Sequence, residues 1–247
     1  MLPAASQPRD RLTGMSGHLH PPTGAATELP LTVVIPTLNA ADRLAPTLAA
    51  CAGFAVVVAD GGSTDGTPAL ARSLGATVVE AAPGRGGQLA AGAAAAGDGW
   101  LLFLHADTCP EPGWPEAVRG FIANPANARR AGYFRFALDD PSAAARRLER
   151  LVAWRCRALA LPYGDQGLLI HRALYEAAGG FRPLPLMEDV DLVRRLGRAR
   201  LAALPAAAVT SAERWRRQGW TRRSARNLAC LALWFLGVPP RIIRRLY

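Results

Sequence analysis

The sequence predicts an α/β fold with a mostly parallel central sheet flanked by helices. Three observations carry this: short runs that are apolar on both faces, segments of helical period between them, and polar loops rich in Gly and Asp directly after the runs. With 247 residues, 50% of them hydrophobic and 19% charged, the chain has enough apolar surface to offset its conformational entropy, which excludes disorder over most of its length.

Residues 1–30, rich in Pro, Gly, Ser and Thr and without a signal-like apolar core, read as a flexible leader with Met15 as a second candidate start. Thr32-Val33-Val34-Ile35 is a buried strand that stops at Pro36. Asp42–Cys51 carries Leu44 and Leu48 at helical spacing, and Phe54–Ala59 forms a second strand ending at Asp60. Thr67–Leu74 is helical, Ala76–Glu80 is a short strand, and a Gly-rich turn leads into an Ala-rich helix over Gln88–Ala96. Trp100–Leu104 is the fourth and most hydrophobic strand. Beyond it the pattern gives a helix over Trp114–Ala123, a strand over Gly132–Leu138, a long helix over Ser142–Ala160, a strand over Leu168–Ile170, and a helix through Leu192, Val193 and Leu196. The Ala tracts suit helix better than disorder. The domain is expected over 31–219, followed by a basic amphipathic helical tail over 220–247.

All 29 basic residues are Arg, and the net charge is +10. Guanidinium forks suit phosphate oxygens, so nucleotides, nucleic acid and anionic membranes are the partner classes, although a general preference for Arg accounts for the total equally well. In the tail, Arg222, Arg223, Arg226, Arg241, Arg244 and Arg245 interleave with Leu, Trp and Phe, which fits either contact with an anionic bilayer or a helix packed back on the domain. Cys51, Cys109, Cys156 and Cys230 lie far apart, with no zinc spacing or disulfide framework, as in a reducing cytoplasm. The longest apolar run, near Leu228–Val238, falls short of the roughly 20 residues of a spanning helix.

In a parallel sheet, ligands bind beyond the carboxyl ends of the strands, which places the chemistry at the Asp60 and Asp107 loops. Val33-Val34-Ile35-Pro36-Thr37-Leu38-Asn39 followed by Asp60-Gly61-Gly62-Ser63-Thr64-Asp65-Gly66-Thr67 resembles the family-2 glycosyltransferases with the GT-A nucleotide-diphospho-sugar fold. The resemblance covers about Leu31–Trp215 and is most similar to a bacterial subfamily associated with radical-SAM or arsenosugar pathways. It implies transfer of a sugar from a nucleotide-diphosphate donor to an acceptor hydroxyl, with inversion by direct displacement. It also implies donor contacts from Pro36, Thr37, Asn39, Asp60, Gly61, Gly62, Ser63, Arg85, Gln88, His105, Ala106 and Asp107.

Read as chemistry, the Asp60 carboxylate is able to accept from a base N–H or a ribose hydroxyl; as structure, the same stretch is a turn and helix cap. The family pattern is Asp-Asp-Gly-Ser, whose second Asp often contacts uracil; Gly61 stands there and leaves the base open. Pro83–Gln88 offers free backbone N–H groups and Arg85 for a diphosphate, or is a plain connection. His105-Ala106-Asp107 ends the fourth strand where relatives carry Asp-X-Asp, so Asp107 is expected to hold Mg²⁺ or Mn²⁺. His105 is a ligand, a ribose contact or a packed imidazole.

Gly164-Asp165-Gln166-Gly167 and Glu188-Asp189 are similar to the acceptor half of the family, in which the Asp of Glu-Asp serves as general base. The alternative is an acidic first helical turn at 188–191 and turn caps at Asp165 and Gln166. Arg214-Trp215 resembles the end of a longer motif of polymerising relatives, with Ser211 in place of its Gln, which argues against processive synthesis. Arg214 is expected at the leaving diphosphate and Trp215 on a sugar face, or both on an ordinary surface helix. The rivals are a nucleotidyltransferase acting on a sugar phosphate, which would want a Lys that this chain lacks, and a non-catalytic basic membrane- or RNA-binding module. No nucleic-acid partner is expected.

Overall fold

The computed structural model describes residues 29–247, so the expected leader lies outside the described residues except for Leu29 and Pro30. The amino-terminal half alternates β1 (Leu31–Thr37), α1 (Ala41–Ala50), β2 (Ala55–Asp60), α2 (Thr67–Ser73), β3 (Thr77–Glu80), α3 (Arg85–Ala95) and β4 (Trp100–Phe103). After β5 (Thr108–Pro110) come α4 (Trp114–Ile122), β6 (Ala131–Leu138), α5 (Ala143–Leu159), β7 (Leu168–His171), α6 (Arg172–Ala177), α7 (Glu188–Leu196), β8 (Leu201–Thr210), α8 (Glu213–Gln218), α9 (Trp220–Phe235) and α10 (Pro240–Ile243).

All eight strands form one sheet in the order β3-β2-β1-β4-β7-β6-β8-β5. The β3-β2-β1-β4 half is parallel, as expected for helix-separated strands. The rest is mixed: β7 runs antiparallel to both β4 and β6, β6 and β8 are parallel, and β5 closes the edge antiparallel to β8. Alternate residues serve opposite faces. Val33, Ile35, Leu102 and Leu104 pack with Leu44 of α1 and Trp114 and Val118 of α4, while Val34, Leu101 and Phe103 pack with Leu89 of α3 and Leu192 and Leu196 of α7. This two-sided burial is why these strands read as unbroken apolar runs.

Two boundaries depart from the sequence expectation, and one strand lies where none is assigned. Strand β1 runs through Pro36 to Thr37; its pairing to β4 ends at Val34 opposite Phe103, so Pro36 sits where only β2 remains alongside. Helix α3 starts at Arg85, so Gly86 and Gly87 lie in its first turn rather than in a loop. The Ala-rich segment Leu201–Thr210, to which the sequence pattern assigns no element, is the longest strand, β8. Its register against β6 shifts between Tyr133 and Arg135, and Pro205 lies in that irregularity, where a missing N–H breaks no ladder bond.

The carboxyl ends of β1, β2 and β4 open on one side of the sheet, and helices α7 and α9 close over it. Residues 220–247 are not a separate tail. Cys230, Leu231 and Ile243 form one buried cluster with Leu161, Leu186, Met187 and Val190, the packed-back alternative of the sequence reading. No helix among the described residues is long and apolar enough to cross a membrane.

Candidate active site

The loop after β1 and the loop after β2 are zipped together by hydrogen bonds. Asp60 lies buried at the end of β2. Its Oδ1 accepts from the Thr37 hydroxyl at 2.8 Å and the Ser63 hydroxyl at 2.6 Å; its Oδ2 accepts from the Gly62 and Ser63 N–H groups at 3.0 and 2.7 Å. Burial alone would raise its pKa, but the bonds from Ser63, Thr37 and Gly62 outweigh it and hold the carboxyl below the ordinary aspartate value. Asp60 is therefore an organiser of the turn; Asp60, Gly61, Gly62 and Ser63 do not line the cleft that opens beyond the strand ends. Ser63 Oγ accepts from Asn39 N–H at 2.8 Å, Asn39 Oδ1 accepts from Thr64 N–H at 2.9 Å, and Asp65 accepts from Ala41 N–H at the start of α1. Asn39 adopts φ 50° to make this junction.

Gln88 is likewise internal. Its Nε2 donates to the Thr37 and Ala59 carbonyls at 2.6 and 3.0 Å, tying α3 to the ends of β1 and β2. A Cβ on Gly61 would lie 2.9 Å from that nitrogen, so Gln88 occupies the space into which a residue-61 side chain would project. Gly86 also serves packing: a Cβ there would fall 2.2 Å from the Arg182 carbonyl and 3.1 Å from Glu188 Cβ.

The cleft has a volume of about 260 Å³. From the β1 side it receives Pro36, Asn39 and Arg43; from the loop after β4, His105, Ala106 and Asp107; from α3, Arg85; and from the 163–165 turn and α7, Tyr163, Asp165, Met187 and Asp189. Ser211, Arg214 and Trp215 come from β8 and α8, and Arg223, Asn227 and Cys230 from α9. Asp107 and Asp189, 82 positions apart in sequence, thus share one cavity. Thr37, Gln88, Gln166 and Glu188 lie outside it.

The loop carrying Asp107 is fastened on both sides, by Thr47 Oγ1 donating to the Ala106 carbonyl at 3.0 Å and Ser211 N–H donating to the Asp107 carbonyl at 3.3 Å. Asp189 Oδ2 accepts from Gly164 N–H at 2.8 Å, and a Cβ on Gly164 would fall 2.5 Å from His105 Nε2 and 3.3 Å from Asp189 Oδ2. Only glycine allows His105 and Asp189 to close on the 164 backbone. Burial and then the Arg85 charge push the His105 pKa down to about 4, so the imidazole is neutral at pH 7. Asp165 Oδ1 is buried without a hydrogen-bond partner, and burial pushes its pKa up to about 6 against the pull of Arg155.

Glu188 is fully buried and ion-paired to Arg85 Nε, with its Oε2 unpartnered. Burial raises its pKa, which Arg85 opposes. Its position fits a support for Arg85, not a group in the cleft. Gln166 Oε1 accepts from Arg155 Nη2 and the Cys156 thiol at 3.1 and 3.2 Å, and its Nε2 donates to the Phe134 carbonyl at 3.0 Å, so it braces the turn from within. Trp215 is mostly buried, stacked on Trp220 at 5.9 Å, while Arg214 is exposed at the cleft edge. The sequence reading missed Tyr163, Arg43 and the α9 residues of the lining; no motif marks them, and α9 reaches the cleft only through tertiary packing.

A divalent cation fits at one carboxylate. No group of three or more His, Cys, Asp or Glu able to hold a metal exists among the described residues. The Asp107 carboxylate nevertheless faces the cleft and accepts no side-chain or backbone hydrogen bond among those described, offering the hard oxygen that Mg²⁺ or Mn²⁺ combines with phosphate and water ligands.

Residues 32–150 match the family Glycosyl transferase family 2. No curated protein matches the chain. Among solved structures, the chain is similar to Staphylococcus aureus TarS 1–349 at 16% identity, covering 74% of this chain and 60% of that one, with a TM-score of 0.58. It is also similar to Mycobacterium tuberculosis glucosyl-3-phosphoglycerate synthase, solved with Mn²⁺, uridine diphosphate and glucosyl-3-phosphoglycerate, at 20% identity over 75% of this chain and 71% of that one, with a TM-score of 0.53. The same TarS fragment solved with UDP-GlcNAc gives 17% identity, 73% and 58% coverage, and a TM-score of 0.57. The chain thus spans less than two thirds of the TarS fragment, and at these identities the likeness is one of fold.

Proposed function

We propose that this enzyme of the glycosyltransferase class moves a sugar from a nucleotide-diphosphate donor to an acceptor hydroxyl, with inversion at the anomeric carbon. The observation that carries the reading is the meeting of Asp107 and Asp189 in one cleft at the strand ends, beside Arg85 and a neutral His105. Asp189 takes the acceptor proton as the new oxygen–carbon bond forms and the bond from carbon to the diphosphate oxygen breaks with its electron pair leaving on the diphosphate. Its Oδ2 is held by Gly164 N–H, which fixes the carboxylate toward the cavity. Arg85, braced by Glu188, and Arg214 stand where they are able to counter the departing negative charge. Asp107 would hold a divalent cation, which when bound supplies charge neutralisation at the diphosphate.

The UDP-GlcNAc of the TarS fragment and the uridine diphosphate and Mn²⁺ of the synthase support a nucleotide-sugar donor and a cation here. The base stays open, because Gln88 fills the space beside Gly61. Exposed Leu228, Phe235 and Leu236 beside the tail arginines support peripheral contact with an anionic bilayer, which co-sedimentation with such vesicles reads directly.

The substitution Asp189→Asn tests the base. Transfer should fall by roughly a hundredfold or more, while nucleoside-diphosphate binding, read by thermal shift, stays at the wild-type level. A variant that turns over normally overturns the assignment. Released nucleoside diphosphate supports sugar transfer, and released pyrophosphate supports the nucleotidyltransferase rival.

A further inference from the structure

The transfer chemistry leaves the α9 wall of the cleft without a role. Arg223 is 8% exposed and lines the cleft, yet its Nε is buried with no partner; Arg226 Nε and the cleft-lining Asn227 Oδ1 are in the same condition. The two guanidiniums share one neutral acceptor, Gln218 Oε1, which takes a 2.9 Å bond from Arg223 Nη1 and a bond from Arg226 Nη2. Neither pairs with a carboxylate among the described residues, although nine other arginines do. The Trp215 ring 5.0 Å from Arg223 offers only a quadrupole. Burial pulls the Arg223 pKa below the ordinary arginine value, against the charge of the cleft-lining Tyr247, and Arg214 and Arg226 add to the lowering.

Buried cations in folded proteins are paired, and with Tyr247 the opposing group and no Asp or Glu in reach among the described residues, this wall lacks a full counter-charge. Its position says which substrate supplies it. Cys230 and Leu231 of α9 pack on Met187 and Val190, on either side of Glu188-Asp189, whereas the donor loops come from the ends of β1 and β4. The wall therefore backs the proton acceptor, where the nucleophile must sit.

We infer that Arg223, Asn227 and the adjacent Arg226 form an anion subsite that takes a phosphate group carried by the acceptor, with Asn227 Oδ1 accepting from a hydroxyl of the same molecule. This rests on the sugar-transfer reading and deepens it: the acceptor is a phosphorylated alcohol.

The test is a titration with methyl phosphate, read by tryptophan fluorescence because Trp215 and Trp220 adjoin Arg223, on full-length protein whose donor site is first filled with UDP or GDP, whichever raises the melting temperature. Methyl phosphate should bind alongside the nucleotide. Arg223→Gln should weaken it roughly ten- to a hundredfold, the loss of a charge-assisted pair, and leave nucleotide affinity unchanged. Should Arg223→Gln misfold, Asn227→Leu and Arg226→Gln read the same subsite without removing the most buried charge, with weakening of roughly three- to tenfold each. Vesicles of phosphatidylcholine with phosphatidic acid, against phosphatidylcholine alone, separate a lipid-borne phosphate from a soluble one; Arg223-dependent binding of either source supports the subsite. Displacement of methyl phosphate by the nucleotide, equal affinity for acetate, or wild-type affinity in the folded variants overturns it. Failure of both nucleotides to bind instead counts against the sugar-transfer reading and leaves the phosphate titration standing on its own.

Discussion

The environment of Asp165 opposes its charge. Its pKa moves from 3.8 to about 6 in the folded chain, with burial the first cause, and its Oδ1 has no donor. Between those two values the native state binds more protons than the unfolded state, so this group's contribution to stability is full below about pH 4 and is lost as pH rises through 6. His105 has the opposite sign: its pKa falls from 6.5 to about 4, so acidification across that window destabilises the native state. Asp165→Asn isolates the first effect. The variant should match wild-type stability near pH 4 and exceed it by on the order of 2–3 kcal/mol at pH 8, measured by urea unfolding across the range. A constant difference at all pH values would contradict the assigned burial. The sequence singled out Asp165 by its Gly-Asp-Gln-Gly setting, but neither its desolvation nor the inward turn of Gln166 is legible there, because both depend on Arg155 and Phe134 arriving from other elements.

At the scale of elements, the junction of β1, β2 and α3 decides what position 61 is able to hold. Gln88 bridges the Thr37 and Ala59 carbonyls and fills the volume over Gly61. Gly61→Asp, which would introduce the pattern that the 60–63 loop resembles, must therefore displace a buried amide. The expected cost is about 1–2 kcal/mol for the lost bonds, and Gly61→Asp combined with Gln88→Ala should cost less than the sum of the single substitutions, a coupling that a double-mutant cycle in urea measures. Additive effects would show that Gln88 does not control the site. The strands of this junction were legible because they are apolar on both faces, and so were the loops after them. The start of α3 was not, since Gly86 and Gly87 read as a loop although Gly86 is there to admit the Arg182 backbone. Strand β8 was hidden for a related reason: Ala favours helix in isolation, but Ala206 and Ala208 pack under Trp114, Val118 and Phe121, where a small side chain on a strand is what fits.

For the whole molecule, the question is whether residues 31–219 fold without residues 220–247. The amphipathic pattern of 220–247 reads identically for a bilayer surface and for a neighbouring protein face, so sequence alone could not place it. In the structure Cys230, Leu231 and Ile243 cover Leu161, Leu186, Met187 and Val190, the last two flanking the proposed base. Each such side chain is worth about 2 kcal/mol when buried, so exposing four of them removes a large part of a total stability on the order of 10 kcal/mol. A chain ending at Gly219 should therefore lose its cooperative urea transition and its nucleoside-diphosphate thermal shift together. The full chain carrying Leu231→Ala should keep the transition, with a loss of about 2–4 kcal/mol, because one cavity leaves the rest of the cover in place. If the shortened chain instead unfolds cooperatively at the wild-type midpoint, α9 and α10 are an appendage to the domain. The cleft wall they contribute would then have to be dispensable for ligand binding as well, which the same thermal-shift measurement decides.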